Sequence, residues 1–379
     1  MSASPALATG ATPLRVGIVG LGAVARVVYL PLLARRPEAF RVTALCDLSR
    51  TLLDDCGDRL AVPARGRHAD LTALLEAGGV DAAIVLTSGS HAEAARLCAA
   101  AGLPTLVEKP LGYTLAEVDA LRGCDLVQVG YMKLFDPAVR RAVQLLADRP
   151  QPRAVDVTVL HPPMDDQLAH LPAPTTAPRA SVASRLDAAL AAQRERALGP
   201  AAQALGTTYT DVLLGSIVHD LYVVRALAGD PKTIDWAVAW PDPAAPTSIE
   251  LSGTLPTGAR LSLRWHYLER YPAYREEVRV HDEEGSVELT FPSPYLLHAP
   301  TELRVTDRDG GGERSSTFRS TREAFEEQLS AFHRHATEGG SPIVTVDHGR
   351  RDIVTCQLIA RALARQHGLE IGGEAEHAG

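Results

Sequence analysis

Residues 14–25 read Leu14-Arg15-Val16-Gly17-Ile18-Val19-Gly20-Leu21-Gly22-Ala23-Val24-Ala25, an apolar run that breaks at glycine and resumes as an amphipathic pattern to Ala34. Strand, glycine turn and helix in that order make a cradle for a diphosphate. Gly20 permits the tight turn, Gly22 lets the backbone approach the ligand, and the small Ala25 lets the helix pack closely on the strand. The helix N-terminus then meets the phosphate charge. Asp47 ends the next apolar run, twenty-two residues past Ala25, where a carboxylate accepts ribose hydroxyls. Gly20, Gly22, Ala23, Val24 and Asp47 are therefore expected to hold a dinucleotide. Asp47 repels a 2′-phosphate, whereas Ser49 and Arg50 offer it a seat. NAD or NADP is expected, leaning to NAD.

Outward from this turn, apolar runs at Arg15–Val19, Arg41–Cys46, Ala82–Leu86, Pro104–Val107 and Leu126–Val129 alternate with helical patterns such as His91–Ala101. That alternation predicts a parallel sheet wound on both faces. From Arg153 to Phe318 the period falls to two. Leu261, Leu263, Trp265 and Tyr267 share one face of Arg260–Leu268, and Ser248–Leu255, Glu276–His281, Ser286–Phe291 and Glu302–Asp307 alternate likewise. The fold class expected is α/β plus α+β: an N-terminal Rossmann domain over 14–135, then a domain with a large, mainly antiparallel open sheet over 136–370. Helices are expected at Asp211–Ala228, Ser184–Leu198, Arg322–Thr337 and Asp352–His367, the last packing back on the first domain. Pro162–Pro178 reads as an exposed excursion, and residues 1–13 and 371–379 as disordered.

The 379 residues carry 38 Lys+Arg against 46 Asp+Glu, a net charge of −8, without the clustered basic residues that nucleic acid requires. No apolar run spans a bilayer. Five scattered cysteines form no CxxC pair, so no metal site is expected and the compartment expected is cytoplasmic. A small-molecule substrate is the expected partner. An open sheet with one uncovered face would show apolar groups to water, which predicts a homodimer or homotetramer.

The glycine turn, Asp47, Ser88-Gly-Ser-His91 and above all Glu108-Lys109-Pro110-Leu111 resemble the Gfo/Idh/MocA family of glucose–fructose oxidoreductases and inositol dehydrogenases. The resemblance continues through Val129-Gly-Tyr-Met-Lys133 and Val218-His219-Asp-Leu-Tyr222. It implies an NAD(P)-dependent oxidoreductase acting on a carbinol or ketone of a sugar, nucleotide-sugar or cyclitol. Lys109 and His219 would lie at the reacting oxygen, and the Lys109–Pro110 bond would be cis. A Lys at a strand's carboxyl end donates to an oxygen where charge develops, and an imidazole takes the carbinol proton. Thr87, Ser88, His91, Glu108 and Lys133 join the candidate cofactor residues, and His161 the candidate substrate residues.

The resemblance breaks around His219. Relatives carry Asp four residues before it and three after it; this chain has Gly215 and Tyr222. Tyr222, one turn from His219, is the candidate that donates to substrate or packs. Two other activities fit this departure: a redox-neutral enzyme of epimerase or eliminase type with tightly held NAD, and a ligand-sensing regulator without turnover. Tyr271, Tyr274 and Arg275 are weaker substrate candidates, and Asp165-Asp166 reads as solvated.

Overall fold

The computed structural model describes residues 12–168, 180–244 and 247–379. Six strands form a parallel sheet: β1 (Leu14–Val19), β2 (Phe40–Cys46), β3 (Arg67–His68), β4 (Ala82–Val85), β5 (Thr105–Val107) and β6 (Val127–Val129). Their order, β3-β2-β1-β4-β5-β6, is the doubly wound arrangement in which ligands bind beyond the carboxyl ends of the strands. Val16, Ile18, Ile84, Val85, Leu106 and Val107 are buried on both faces, which is why these strands read as continuous apolar runs. The two-residue β3 has too little pattern to be seen in sequence.

The other eight strands are β7 (Ala154–His161), β8 (Thr233–Trp240), β9 (Ser248–Thr254), β10 (Arg260–Tyr267), β11 (Arg275–His281), β12 (Gly285–Phe291), β13 (Glu302–Asp309) and β14 (Gly312–Arg319). They run β14-β13-β12-β11-β7-β10-β9-β8, all antiparallel except β7 with β10. Val155, Val157, Leu261, Leu263, Val278 and Val280 face inward and form one core with the helices Val218–Ala228 and Val346–Gln366. The opposite face departs from expectation. It is half-exposed and carries the ion pairs Glu250–Arg264, Arg279–Glu288 and Arg304–Glu302 rather than an apolar surface, although Trp236 and Trp240 on β8 are exposed.

Two helices differ in kind from the sequence expectation. The helix after the glycine turn passes into a π-turn at Ala25–Tyr29 before Leu30–Ala34 continues as α. The expected Asp211–Ala228 helix is π over Thr208–Ile217 and α only over Val218–Ala228. Helix Ala324–Glu338 sends Phe325, Leu329 and Phe332 into the core of the parallel sheet. Helix Val346–Gln366 lies along β8 and also touches β6 and helix Leu115–Asp119. In place of the disorder expected for 371–379, Gly373–His377 forms a 3₁₀ turn. Its Glu374 accepts from the Leu115 and Ala116 amides at 2.6 and 3.1 Å, satisfying a helix N-terminus. Most of the Pro162–Pro178 excursion lies outside the described residues; Met164–Leu168 is a short helix.

A buried polar network ties the last helix to the site. Asp352 receives the Tyr131 hydroxyl and the Arg225 guanidinium, and Arg225 also pairs with Asp230. The Arg225 and Asp352 side chains are 8% and 2% exposed. Removing Asp352 leaves Arg225 with Asp230 alone and takes the acceptor from the Tyr131 hydroxyl, so Asp352→Ala should cost about 1–3 kcal/mol in urea denaturation. Arg15→Ala, which breaks the exposed pair with Asp81, should leave the urea midpoint within error.

Candidate active site

At the glycine turn, Gly20 has φ +93°, and a Cβ there would lie 2.7 Å from the Leu86 carbonyl and the Thr87 amide. Gly20 is thus required by its own neighbours. A Cβ on Gly22 would meet nothing within 4 Å, so this glycine leaves a space the protein does not fill. Asp47 accepts from the Leu21 amide through Oδ2 and from the Ser49 amide through Oδ1, both at 2.7 Å. Each oxygen keeps a lone pair for a ribose hydroxyl. Ser49 caps helix Arg50–Arg59, and Arg50 is exposed and turned back on Asp54. The open space at Gly22 and the carboxylate beside it fit a dinucleotide.

The cis Lys109–Pro110 bond follows β5. Glu108 is held on both sides: Oε1 accepts from Tyr29 at 2.6 Å and Oε2 from the Lys109 amide at 3.1 Å. Gln328 donates in turn to the Tyr29 hydroxyl at 2.9 Å. Burial raises the Glu108 pKa against the pull of Lys109 and Tyr29. Tyr29, on the π-helix, was invisible as a site residue because its partner is seventy-nine positions away. His91 is buried, with Nδ1 2.7 Å from the Pro110 carbonyl and Nε2 2.8 Å from the Thr87 carbonyl. It clamps the two loops together instead of facing a cofactor, and burial lowers its pKa.

The Lys109 ammonium donates to the Gly215 carbonyl at 2.6 Å. The residue that replaces the expected carboxylate therefore contributes its backbone. A Cβ at Gly215 would lie 3.2 Å from the Thr210 carbonyl, a tight contact inside the π-turn. Burial and the nearby Lys133 lower the Lys109 pKa, while Glu108 opposes them. His219, one turn beyond, has Nδ1 2.8 Å from the Tyr222 hydroxyl. Its pKa falls well below the usual imidazole value through burial, then Lys109, then Lys133.

Lys109, Gly215, Ser216 and His219 line a cavity of about 360 Å³ whose other wall includes His161, Trp265, Tyr267, Tyr274 and Tyr295. The His161 ring lies 4.9 Å from that of Trp265 and 5.7 Å from that of Tyr274. Its Nδ1 is buried without a partner among the described residues, and burial lowers its pKa. Neither Trp265 nor Tyr295 stood out as a site residue from sequence: Trp265 was only one apolar position in an alternating strand. A larger surface depression of about 640 Å³, along β2 near Arg41 and Gly78, contains neither Lys109 nor His219 nor the glycine turn.

Besides His91, two candidates sit elsewhere than expected. Tyr222 is 1% exposed and stacks on Tyr131, ring centroids 4.3 Å apart at 9°; its hydroxyl addresses His219 and Met132 rather than the cavity. Lys133 is 4% exposed and bonds both Glu276 oxygens at 2.5 Å, so it is a buried ion-pair partner and not a group open to a cofactor. Tyr271 and Arg275 are not among the cavity's lining residues, whereas Tyr274 is.

The parallel sheet, its switch-point turn and the open cradle at Gly22 define a dinucleotide-binding protein of the Rossmann class. Residues 14–124 match the oxidoreductase family with NAD-binding Rossmann fold. This match, to the Gfo/Idh/MocA family, covers the part of the chain that runs from β1 through β5 and carries the glycine turn and Lys109. The chain is 27% identical over 378 residues to inositol 2-dehydrogenase 2 of Paenarthrobacter aurescens, covering 93% of this chain and 95% of that one. It is 35% identical over 135 residues to inositol 2-dehydrogenase 1 of Saccharopolyspora erythraea, covering 33% and 38%. Its fold is similar to that of UDP-N-acetylglucosamine 3-dehydrogenase from Acidithiobacillus ferrooxidans, with TM-score 0.68, 19% identity, and 94% and 99% of the two chains covered. No helix among the described residues is long and apolar enough to cross a membrane.

The two glycines separate folding from binding. Gly20→Ala should lower the melting temperature, because it combines a left-handed φ with a backbone clash. Gly22→Ala should melt like wild type yet weaken NADH binding, read by fluorescence, by roughly tenfold or more, about 1.4 kcal/mol.

Proposed function

We propose that the protein is an NAD-dependent dehydrogenase that interconverts a secondary alcohol and a ketone on a cyclitol or sugar. The observation that carries this reading is the convergence of Lys109 and His219 on one cavity beyond the carboxyl end of the parallel sheet. The inositol dehydrogenase relatives support a cyclitol, and the aromatic wall of Trp265 and Tyr274 suits the CH face of a saturated ring. Gly20, Gly22, Ala23 and Val24 would hold the diphosphate, Asp47 the adenosine ribose, and Thr87 and Ser88 the neighbouring part of the dinucleotide. The bound nicotinamide supplies the hydride acceptor or donor.

Within the chain, His219 handles the proton. Its Nδ1 is occupied by Tyr222, which leaves Nε2 for the substrate hydroxyl. Kept neutral by burial and two neighbouring cations, the ring is ready to accept that proton as the C–H electron pair leaves. Lys109 exchanges the Gly215 carbonyl for the substrate oxygen and favours negative charge developing there. His161, beside Trp265 and Tyr274 in the cavity wall, packs against the substrate ring. A regulator without turnover had Gly215 in its favour; a Gly215 carbonyl that seats Lys109 supports a working centre instead.

The test is NADH formation at 340 nm with myo-inositol, scyllo-inositol and aldoses. Lys109→Met should reduce kcat/KM about 10²–10³-fold with NADH affinity changed less than about threefold. Because His219 is depressed, the acid limb of kcat/KM for oxidation should fall below the ordinary imidazole pKa of about 6.5. Because Lys109 is depressed too, the alkaline limb should fall below about 10.4. An acid limb at or above 6.5 would contradict the assignment of His219.

A further inference from the structure

Behind the cavity lies a second and drier set of ionisable groups. Glu276, on β11, is fully buried. Both of its oxygens are 2.5 Å from Lys133 Nζ, and Oε2 also accepts from the Tyr274 hydroxyl at 2.5 Å. The Lys133 ammonium lies over the Phe291 ring, 4.7 Å from its centroid. Asp220, the residue after His219, is 2% exposed and its carboxyl contacts Glu276; its Oδ1 has no partner among the described residues. Two touching carboxyls and one ammonium in a dry site cannot carry three charges comfortably. Burial and the Glu276 charge raise the Asp220 pKa well above its ordinary value and favour its neutral form, while Lys133 pairs with Glu276.

A buried ion pair of this kind is poor value for stability alone, since apolar residues of the same volume would do as well or better. Its location suggests another role. The cluster joins the three segments that frame the reacting centre: the turn after β6 that carries Lys133, the helix that carries His219, and the β10–β11 connection that carries Tyr274. Lys133 is also near enough to bias both Lys109 and His219.

We propose that Glu276 and Lys133 are positioning residues for the reacting centre: Glu276 pins a second buried cation behind Lys109 and His219 and braces Tyr274 in the cavity wall. The inference rests on reading Lys109 and His219 as the reacting pair. The charges that act on His219 are Lys109, from the loop after β5, and Lys133, from the turn after β6; Tyr222 on its own helix bonds its Nδ1, and Tyr274 shares its cavity. Behind them, Glu276 is paired with Lys133, and burial favours the neutral form of Asp220. Lys133 therefore helps hold His219 in the neutral, proton-accepting form.

The test uses the full chain with ¹³C-labelled histidine, the His219 resonance being identified by its loss in His219→Gln. A Lys133→Met/Glu276→Gln double variant removes the pair without leaving a lone buried charge, and Lys133→Arg keeps the cation. The His219 titration midpoint should rise by about one unit in the double variant and stay near the wild-type value in Lys133→Arg. With whichever cyclitol the wild type oxidises, the double variant's kcat should drop several-fold and its acid limb should rise in step, while NADH affinity is retained. A folded double variant with a wild-type His219 midpoint overturns the inference. Because this titration needs no substrate, that outcome is distinct from the absence of nicotinamide binding in the wild type, which would overturn the proposed function.

Discussion

The Lys109 ammonium donates to the Gly215 carbonyl at 2.6 Å, and through that contact the parallel sheet and the helical layer over the second sheet meet at one atom. A buried ammonium must be hydrogen-bonded or lose its charge. Here the nearest acceptor is neutral, so Lys109 retains a donor geometry without being locked to a carboxylate. Glu108 stands one residue away, directed to Tyr29 and to the Lys109 amide, and it steadies the charge from a short distance. A neutral anchor is easier to exchange for a substrate oxygen than a carboxylate would be.

The same economy of charge governs His219. Its partner is the Tyr222 phenol, which orients the ring but does little to stabilise an imidazolium. Tyr222 is itself fixed by stacking on Tyr131, whose hydroxyl reaches Asp352 on the last long helix. A chain of buried aromatic and charged groups therefore runs from the C-terminal region to His219 Nδ1. Site geometry and core stability draw on the same side chains, which is why Asp352 belongs to both.

Where chemistry and local pattern coincide, the sequence was legible. Gly20, Gly22 and Asp47 sit within one strand–turn–helix–strand unit, and Lys109 and His219 were marked by motifs a few residues long. What escaped depends on contacts across the chain. Tyr29 meets Glu108, Lys133 meets Glu276 over 143 positions, and Glu374 caps a helix 259 residues earlier. None of these leaves a local period. The π-turns at Ala25–Tyr29 and Thr208–Ile217 escaped for a related reason: their composition is that of any apolar helix, and only the extra residue per turn reveals them. The polar outer face of the large sheet was readable in outline, since Arg260, Arg264 and His266 were seen to share it. The expectation of an apolar surface there ran against that alternation.

The central claim is that a carbinol hydrogen passes directly to a nicotinamide at the Lys109–His219 cavity. The most direct measurement is mass spectrometry of NADH formed from NAD⁺ and inositols or aldoses deuterated at every ring carbon. One deuterium per NADH, at the C4 position of the nicotinamide, is the predicted result. Unlabelled NADH, or none from any of these polyols with a folded and NAD-saturated protein, would contradict it.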